Sequence, residues 1–265
     1  MNGVRCMKDD SRYMAPLQLA GRLIMEYGGE TYRVEETITR MGCAFGLKDV
    51  ESFAVPSGVF ISYRGQDGDI RTAVKRVRKG ATDLNRVDEV NAVSRLVEAK
   101  GLSCEEALER LEEIAGRQPT ISQRLLLFAA AVSTGGWVLL FGGGGLDFLY
   151  GVAVGALVQL LAQMLNRFHM QTLVSTLLGS FVAALLPMAF HSLTGLGMVD
   201  AIVAGSLMPM LPGLAMTNAV QDTMRGDMVS GLSHGVSAVL TAVLVAGGAL
   251  MAASLFALLT GGAAL

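Results

Sequence analysis

The C-terminal half of the chain has almost no charged side chains. Of the 265 residues, 52% are hydrophobic. Only three side chains between positions 125 and 221 carry a formal charge, namely those of Asp147, Arg167 and Asp200. A water-soluble domain of that length would need far more polar surface, so the solvent of this half must be lipid. The sequence therefore predicts a cytoplasmic domain over residues 1–118 and a transmembrane domain over residues 119–265.

Cysteine and histidine are also scarce, at three residues each. Neither set has the spacing of a zinc site, and an odd number of cysteines does not favour a disulfide framework. The His-Glu-x-x-His motif of zinc proteases is absent as well. We therefore predict no enzyme activity, no cofactor and no metal. A net charge of −2 gives no basic surface for nucleic acid, which we exclude as a partner.

Long apolar runs fill the half that lacks charge. Each is close to the ~20 residues that a helix needs to cross a bilayer. The five predicted spans are 125–141, 148–165, 172–190, 198–220 and 236–259. Lys and Arg occur before the first span and in alternate connectors, which places the N-terminus in the cytoplasm and the C-terminus outside by the positive-inside rule. We predict a multi-pass protein of the plasma membrane, with lipid around an all-α bundle.

The polar half has the patterns of an α+β domain. Two helices are predicted at 16–27 and 31–45, followed by a three-stranded antiparallel meander and by two further helices at 83–100 and 103–116. The second helix has apolar residues at helical spacing, which predicts a buried stripe of Val34, Ile38, Met41 and Phe45. Ser103, with Glu106 three residues later, is the pattern of a capping box.

The predicted fourth span contains a cluster of residues that interrupt helices, in the stretch MPMLPGLAMTNAVQD at 208–222. Proline removes a backbone donor and clashes with the preceding turn, so Pro209 and Pro212 predict a break at 209–213. A second half-helix would then start at Pro212 and Gly213. Its unpaired amides and its dipole would favour an anion within the membrane.

This break predicts a binding site for a small carboxylate, as in transporters with discontinuous spans. The candidate substrate-binding residues are Pro212, Gly213, Thr217, Asn218 and Asp222. A plain proline kink, with the asparagine bonded to a neighbouring helix, is the alternative interpretation.

Two acidic residues of the membrane half are candidates for handling a proton or a substrate ammonium group. Asp200 lies near the start of the predicted fourth span, and Asp222 follows its end. An ionisable side chain within a membrane span is costly to bury, so its presence indicates a functional role. For Asp200 the alternative is an interfacial carboxylate stabilised by the start of its helix.

Three stretches resemble a known family. The segments GGETYRVEETITRMGCAFGL at 28–47 and SGVFIS at 57–62 look like the cytoplasmic domain of the threonine/serine exporter family. The segment at 200–234 is similar to that family's proline-glycine, Asn and Gly-Asp motif, which this chain matches at Pro212, Gly213, Asn218, Asp222, Gly226 and Asp227. The resemblance also marks a cytoplasmic-domain motif of Glu30, Arg33 and Glu35.

The resemblance implies a half-subunit of the split, YjjP-like form, with a YjjB-like small membrane protein supplying the second half. It implies proton-driven export of threonine and serine, with a dicarboxylate such as succinate as the alternative substrate. A second hypothesis, from another class of function, is that the chain is a membrane-tethered sensory or regulatory module. Glu30 and Arg33 either pair on their helix or contact loops of the transport path.

Overall fold

The computed structural model describes residues 10–78, 82–117, 121–168 and 170–260. The described residues fall into two compact units. The first contains the N-terminal part of the chain up to 118 together with Thr217–Gly235, and the second contains the part from 119 to Met216 together with the part from Val236 onward. The predicted domain boundary at 118 lies outside the described residues.

Helices pack on one face of a small sheet in the first unit. A short 3-10 helix, Asp10–Tyr13, leads into its regular elements. These are α1 (Met14–Glu26), α2 (Thr31–Ala44), β1 (Lys48–Val55), β2 (Gly58–Arg64), β3 (Ile70–Arg76), α3 (Leu84–Lys100) and α4 (Cys104–Gly116). This order of helices and strands is the order that the hydrophobic periodicity predicts.

The sheet is the predicted antiparallel meander, with the strand order β1-β2-β3. Side chains alternate along β2, so that Val59, Ile61 and Tyr63 are buried while Phe60 is exposed on the other face. The inner face packs with the predicted stripe of α2, all four residues of which are buried. Burial of one sheet face and one helix stripe gives this unit its core.

The predicted capping box at the start of α4 is confirmed. Ser103 Oγ accepts a hydrogen bond from the Glu106 amide at 3.2 Å, and Glu106 Oε2 accepts one from the Ser103 amide at 2.9 Å. The amide of Ser103 holds the pKa of the Glu106 carboxyl below its usual value. Both hydrogen bonds satisfy donors that the helix itself leaves unpaired.

Long apolar helices make up most of the rest of the chain. They are α5 (Gln123–Leu140), α6 (Gly145–Arg167), α7 (Thr172–Thr194), α8 (Val199–Leu207), α9 (Gly213–Arg225) and α10 (Met228–Leu259). Among the described residues, α5, α6, α7 and α10 are long and apolar enough to cross a membrane, and α8 with α9 gives a fifth candidate if the bent pair is one span. The last helix begins at Met228 rather than near 236, because the polar residues before 236 are helical as well.

Small residues bring α5 and α6 close together in the second unit. A Cβ added to Gly151 would lie 2.7 Å from Val138 Cγ2, and one added to Gly155 would lie 2.4 Å from Thr134 Oγ1. The sequence left open whether these glycines pack within the chain or against a partner. They pack within it, where close backbone approach gains dispersion energy in place of the hydrophobic effect.

Candidate functional site

The backbone between α8 and α9 leaves the α-helical conformation where the prolines predict. The α-helix ends at Leu207, a 3-10 turn contains Pro209, and Leu211 is extended, with φ −68° and ψ 141°. Extended geometry is what a residue before proline prefers, and Pro212 follows. Helical hydrogen bonding resumes when the Met216 amide donates to the Pro212 carbonyl at 3.0 Å.

Gly213 is the first residue of α9 and is exposed. A Cβ at this position would meet no described atom within 4 Å, so the packing of the described chain does not demand a glycine here. Thr217, one turn later, is exposed too. These two predicted binding residues therefore lie on accessible surface near the start of a helix.

The rest of the predicted binding set lies at the other end of α9 and is buried. Asn218 is 4% exposed, and Asp222, one turn later on the same face, is 0% exposed. At the helical rise, the nine residue steps from Gly213 to Asp222 span about 13 Å. The predicted site is thus divided into an exposed helix start and a buried polar pair.

A small polar cluster, which we call the Asp222 cluster, surrounds that carboxylate inside the first unit. It comprises Asp222, Thr31 and His234. Thr31 is the first residue of α2 and is itself 0% exposed, and its Oγ1 donates a hydrogen bond to Asp222 Oδ2 at 3.2 Å. His234, on α10, has Nε2 at 3.8 Å from the same oxygen. The other oxygen, Oδ1, has no hydrogen-bond partner among the described residues.

Glu35 lies on α2, one turn after Thr31. Its Oε1 accepts a hydrogen bond from the Ala54 amide at 3.1 Å, and the carbonyl of Ala54 accepts one from Ser230 Oγ on α10 at 3.2 Å. Burial raises the pKa of Glu35 above its usual value, and the nearby carboxylates of Asp227 and Asp222 raise it further, against the effect of the Ala54 amide. Glu35 thus belongs to an acidic, half-buried region.

The arginines of this region contact other groups. Arg33 Nε pairs with Glu30 Oε2 at 2.5 Å, so the predicted pairing occurs, but Glu30 is the extended residue before α2 and does not lie in the helix. Arg225, at the end of α9, lies with Cζ 3.5 Å from the ring centroid of Tyr32. Within the described residues, the salt-bridge partner of Asp222 is His234.

Asp200 is not part of this cluster. It lies in the second unit, in the first turn of α8, and it is exposed. The structure thus places the two predicted proton-handling carboxylates in different units and in opposite environments.

Sequence reasoning missed one polar residue of the second unit. Asp147 is 6% exposed, and its two oxygens accept from the Gly144 amide at 2.7 Å and from the Met198 amide at 3.0 Å. It therefore joins the start of α6 to the residue that precedes α8. The signal was available, since an acidic residue three positions into a helix is a capping pattern.

Comparison with known proteins identifies the family of this chain. The model of the ThrE threonine/serine exporter family matches residues 17–256. The chain belongs to the threonine/serine exporter family. The family consists of exporters rather than enzymes, and its match covers both the Asp222 cluster and the break before α9.

Relatives in this family differ in length. A "probable threonine/serine exporter" of Mycobacterium tuberculosis is 25% identical over 90% of this chain, which spans 46% of that relative. A "probable succinate transporter subunit YjjP" of Klebsiella aerogenes is 25% identical over 89% of this chain and 90% of the relative, and the protein of that name in Escherichia coli is 24% identical over 90% and 92%. The chain thus spans about half of one kind of relative and most of the other. No solved structure gives a significant match.

Glu35→Gln is expected to remove a pH dependence from the stability of this exporter-family chain. Because the pKa of Glu35 is raised above its ordinary 4.5 by burial, ionisation is less favourable in the folded protein than in the unfolded chain. Wild-type stability should therefore rise as the pH falls through that raised pKa toward 4.5. Glutamine keeps an oxygen for the Ala54 amide and does not titrate.

The measurement is the thermal unfolding midpoint in detergent between about pH 5 and pH 8. The wild-type midpoint should lie below that of Glu35→Gln at the high end, and the two should converge as the pH falls. Glu36→Gln, which changes an exposed neighbour paired with Arg40, is the matched control. A wild-type deficit that stays constant with pH would contradict a raised pKa at Glu35.

Proposed function

We propose that this chain is one subunit of a membrane exporter of small hydrophilic carboxylates, driven by the proton gradient. Threonine and serine are the first candidate substrates. A YjjB-like small membrane protein is the proposed second subunit. Membership in an exporter family and the four to five apolar helices among the described residues support a multi-pass membrane location. The proposed orientation has the N-terminus in the cytoplasm and the C-terminus outside.

The observation that carries the proposal is the interruption between α8 and α9. In this proposal α8 and α9 form one discontinuous span, and the start of α9 faces the substrate carboxylate. The chain bends by 54° at the break, and the α-helix restarts at an exposed glycine. The Gly213 amide itself donates to the Leu211 carbonyl at 2.9 Å, so the amides that follow it in the first turn would face the anion. The first amides of a helix have no acceptor within it, and the helix dipole favours negative charge at that end. Thr217 would supply a hydroxyl one turn along.

The alternative substrate is a dicarboxylate such as succinate. This chain spans about nine-tenths of the length of the relatives named as succinate transporter subunits. The relative named as a threonine/serine exporter is about twice as long as its matched part. A helix start can bind one carboxylate of either substrate, so the choice depends on the group at the other end of the molecule.

Co-expression of the chain with a YjjB-like partner, followed by measurement of intracellular threonine and succinate, tests the proposal. Gly213→Leu should slow efflux at least tenfold, which corresponds to about 1.4 kcal/mol, because the side chain would cover the helix start. Asn218→Leu should reduce efflux as well by removing the amide.

The matched control is Gly145→Leu at the start of α6, where an added Cβ also meets no described atom within 4 Å. That variant should transport normally. All variants are compared at equal amounts in the membrane. Unchanged efflux in Gly213→Leu would contradict a carboxylate site at the start of α9. It would favour the membrane-tethered sensory module instead.

A further inference from the structure

Asp222 is a buried carboxylate with little to stabilise its charge. It is 0% exposed, one of its oxygens receives only a 3.2 Å hydrogen bond from Thr31, and the other has no hydrogen-bond partner among the described residues. The free-energy cost of burying such a charge is several kcal/mol unless it is paired or neutralised. A proton is the smallest species that neutralises it without opening the cluster.

His234 is positioned to share that proton. Its Nε2 lies 3.8 Å from Asp222 Oδ2, which is close enough for strong electrostatic attraction and too long for a hydrogen bond. Histidine is the side chain whose charge changes most readily near neutral pH. A proton on Nε2 would make an ion pair with Asp222. Among the described residues, loss of that proton would leave the carboxylate with the hydrogen bond from Thr31.

The surrounding charges favour uptake of a proton. Three further carboxylates lie close enough to interact electrostatically with Asp222, namely those of Glu30, Glu35 and Asp227. On the positive side, Arg33 pairs with Glu30 and Arg225 lies against Tyr32. The balance of charge around the pair is therefore negative, and negative surroundings stabilise an added proton.

We propose that Asp222 and His234 form a pair that holds one exchangeable proton, and that this pair is the coupling site of the exporter. The inference rests on the proposed function and names its proton site. The proton enters and leaves at Nε2 of His234 or Oδ2 of Asp222, and no other bond is made or broken. Asp200 is not needed for this step.

The contacts of the pair show how its charge would act on the fold. Thr31 begins α2, so its hydrogen bond links the charge state of Asp222 to the position of that helix. In the hairpin formed by α9 and α10, a Cβ on Gly231 would lie 2.3 Å from Thr223 Oγ1 and 3.0 Å from the Thr223 amide. Helices packed this closely move together, so a change at the pair is passed on to Thr31 and to the Ser230–Ala54 hydrogen bond.

The test is a histidine titration of the full chain in detergent, read by NMR of ¹⁵N-labelled histidine. The chain has three histidines, so His234→Gln assigns the signal. In Asp222→Asn the titration midpoint of His234 should move to lower pH by roughly one unit or more, because the neighbouring carboxylate no longer stabilises the imidazolium. Asp200→Asn, at an exposed position in the other unit, should leave the midpoint unchanged.

A second variant covers the case in which Asp222→Asn does not fold. Thr31→Val keeps the shape of the side chain and removes the donor to Asp222, which makes the carboxylate more basic. The midpoint should then move to higher pH, opposite to the shift in Asp222→Asn. A His234 midpoint that is the same in wild type and in both variants would overturn the proposal.

A transport arm separates this proposal from the proposed function. With the YjjB-like partner present, Asp222→Asn and His234→Gln should abolish the dependence of efflux on the pH gradient, while Asp200→Asn should keep it. Gradient-dependent efflux that survives in both pair variants overturns the coupling role. Absence of efflux of every tested carboxylate by the wild type overturns the proposed function, and the titration still decides whether the pair shares a proton.

Discussion

The substitution Gly248→Ala should lower the free energy of unfolding by about 3 kcal/mol, which is the upper end of the usual effect of overpacking at one position. Gly248 lies on α10, where an added Cβ would come within 2.1 Å of Ser180 Oγ, 2.6 Å of the Leu177 carbonyl oxygen and 2.9 Å of the Phe181 amide nitrogen. Two of these atoms are backbone of α7, so the clash is relieved only by moving the helices apart. Ser180 Oγ also lies 3.3 Å from the Leu244 carbonyl, and that contact between the helices would be lost too.

The measurement is the thermal unfolding midpoint of the protein in detergent. Gly247→Ala is the matched control, because among the described atoms a Cβ there would meet only Leu177 Cδ1, at 3.9 Å. Both substitutions relieve the low helix propensity of glycine by the same amount, so the difference between them isolates the clash. Equal midpoints in the two variants would contradict close packing of α7 against α10.

Asp147→Ala should cost a similar amount, about 3 kcal/mol, through loss of two hydrogen bonds to a charged group. The side chain is 6% exposed. One of its oxygens accepts a hydrogen bond from the Gly144 amide, and the other accepts one from the Met198 amide. Alanine would leave both donors without this acceptor. It would also remove the contact that fixes the residue before α8 against the start of α6.

Asp147→Asn sharpens this prediction. Asparagine has one acceptor oxygen in place of two, so it should keep one of the two hydrogen bonds and lose roughly half as much stability. Asp200→Ala is the control, since that carboxylate is exposed and contributes at most about 1 kcal/mol through the dipole of α8. If Asp147→Asn were as stable as wild type, the second hydrogen bond would have no measurable value.

Local patterns in the sequence were enough for much of the fold. Val34, Ile38, Met41 and Phe45 predicted a buried stripe because the α-helix repeats every 3.6 residues, and all four are buried. Ser103 and Glu106 predicted a helix start because a capping box needs contacts over only three residues. The stop of α8 and the restart at Gly213 follow from proline, whose restrictions on the backbone hold whatever surrounds it.

The candidate site was predictable only in part. The sequence marked Asp222, Glu30, Arg33 and Glu35 through short motifs, but it attached no role to His234. The contact between Thr31 and Asp222 joins residues 191 positions apart, and no periodicity in the chain encodes such a pairing. Glu35 and Ser230 likewise share Ala54 through contacts that only the folded chain brings together.

The sequence by itself determined the class of the protein, its family, the lipid solvent of its second half and the break before α9. Charge scarcity, helical periodicity and proline act locally, so they can be read without knowing the fold. The tertiary structure alone decided that Thr217–Gly235 packs with the N-terminal unit, that Asp222 is buried with His234 beside it, and that Asp200 is exposed. Burial and pairing depend on which distant segments meet, and that choice is made by packing of the whole chain.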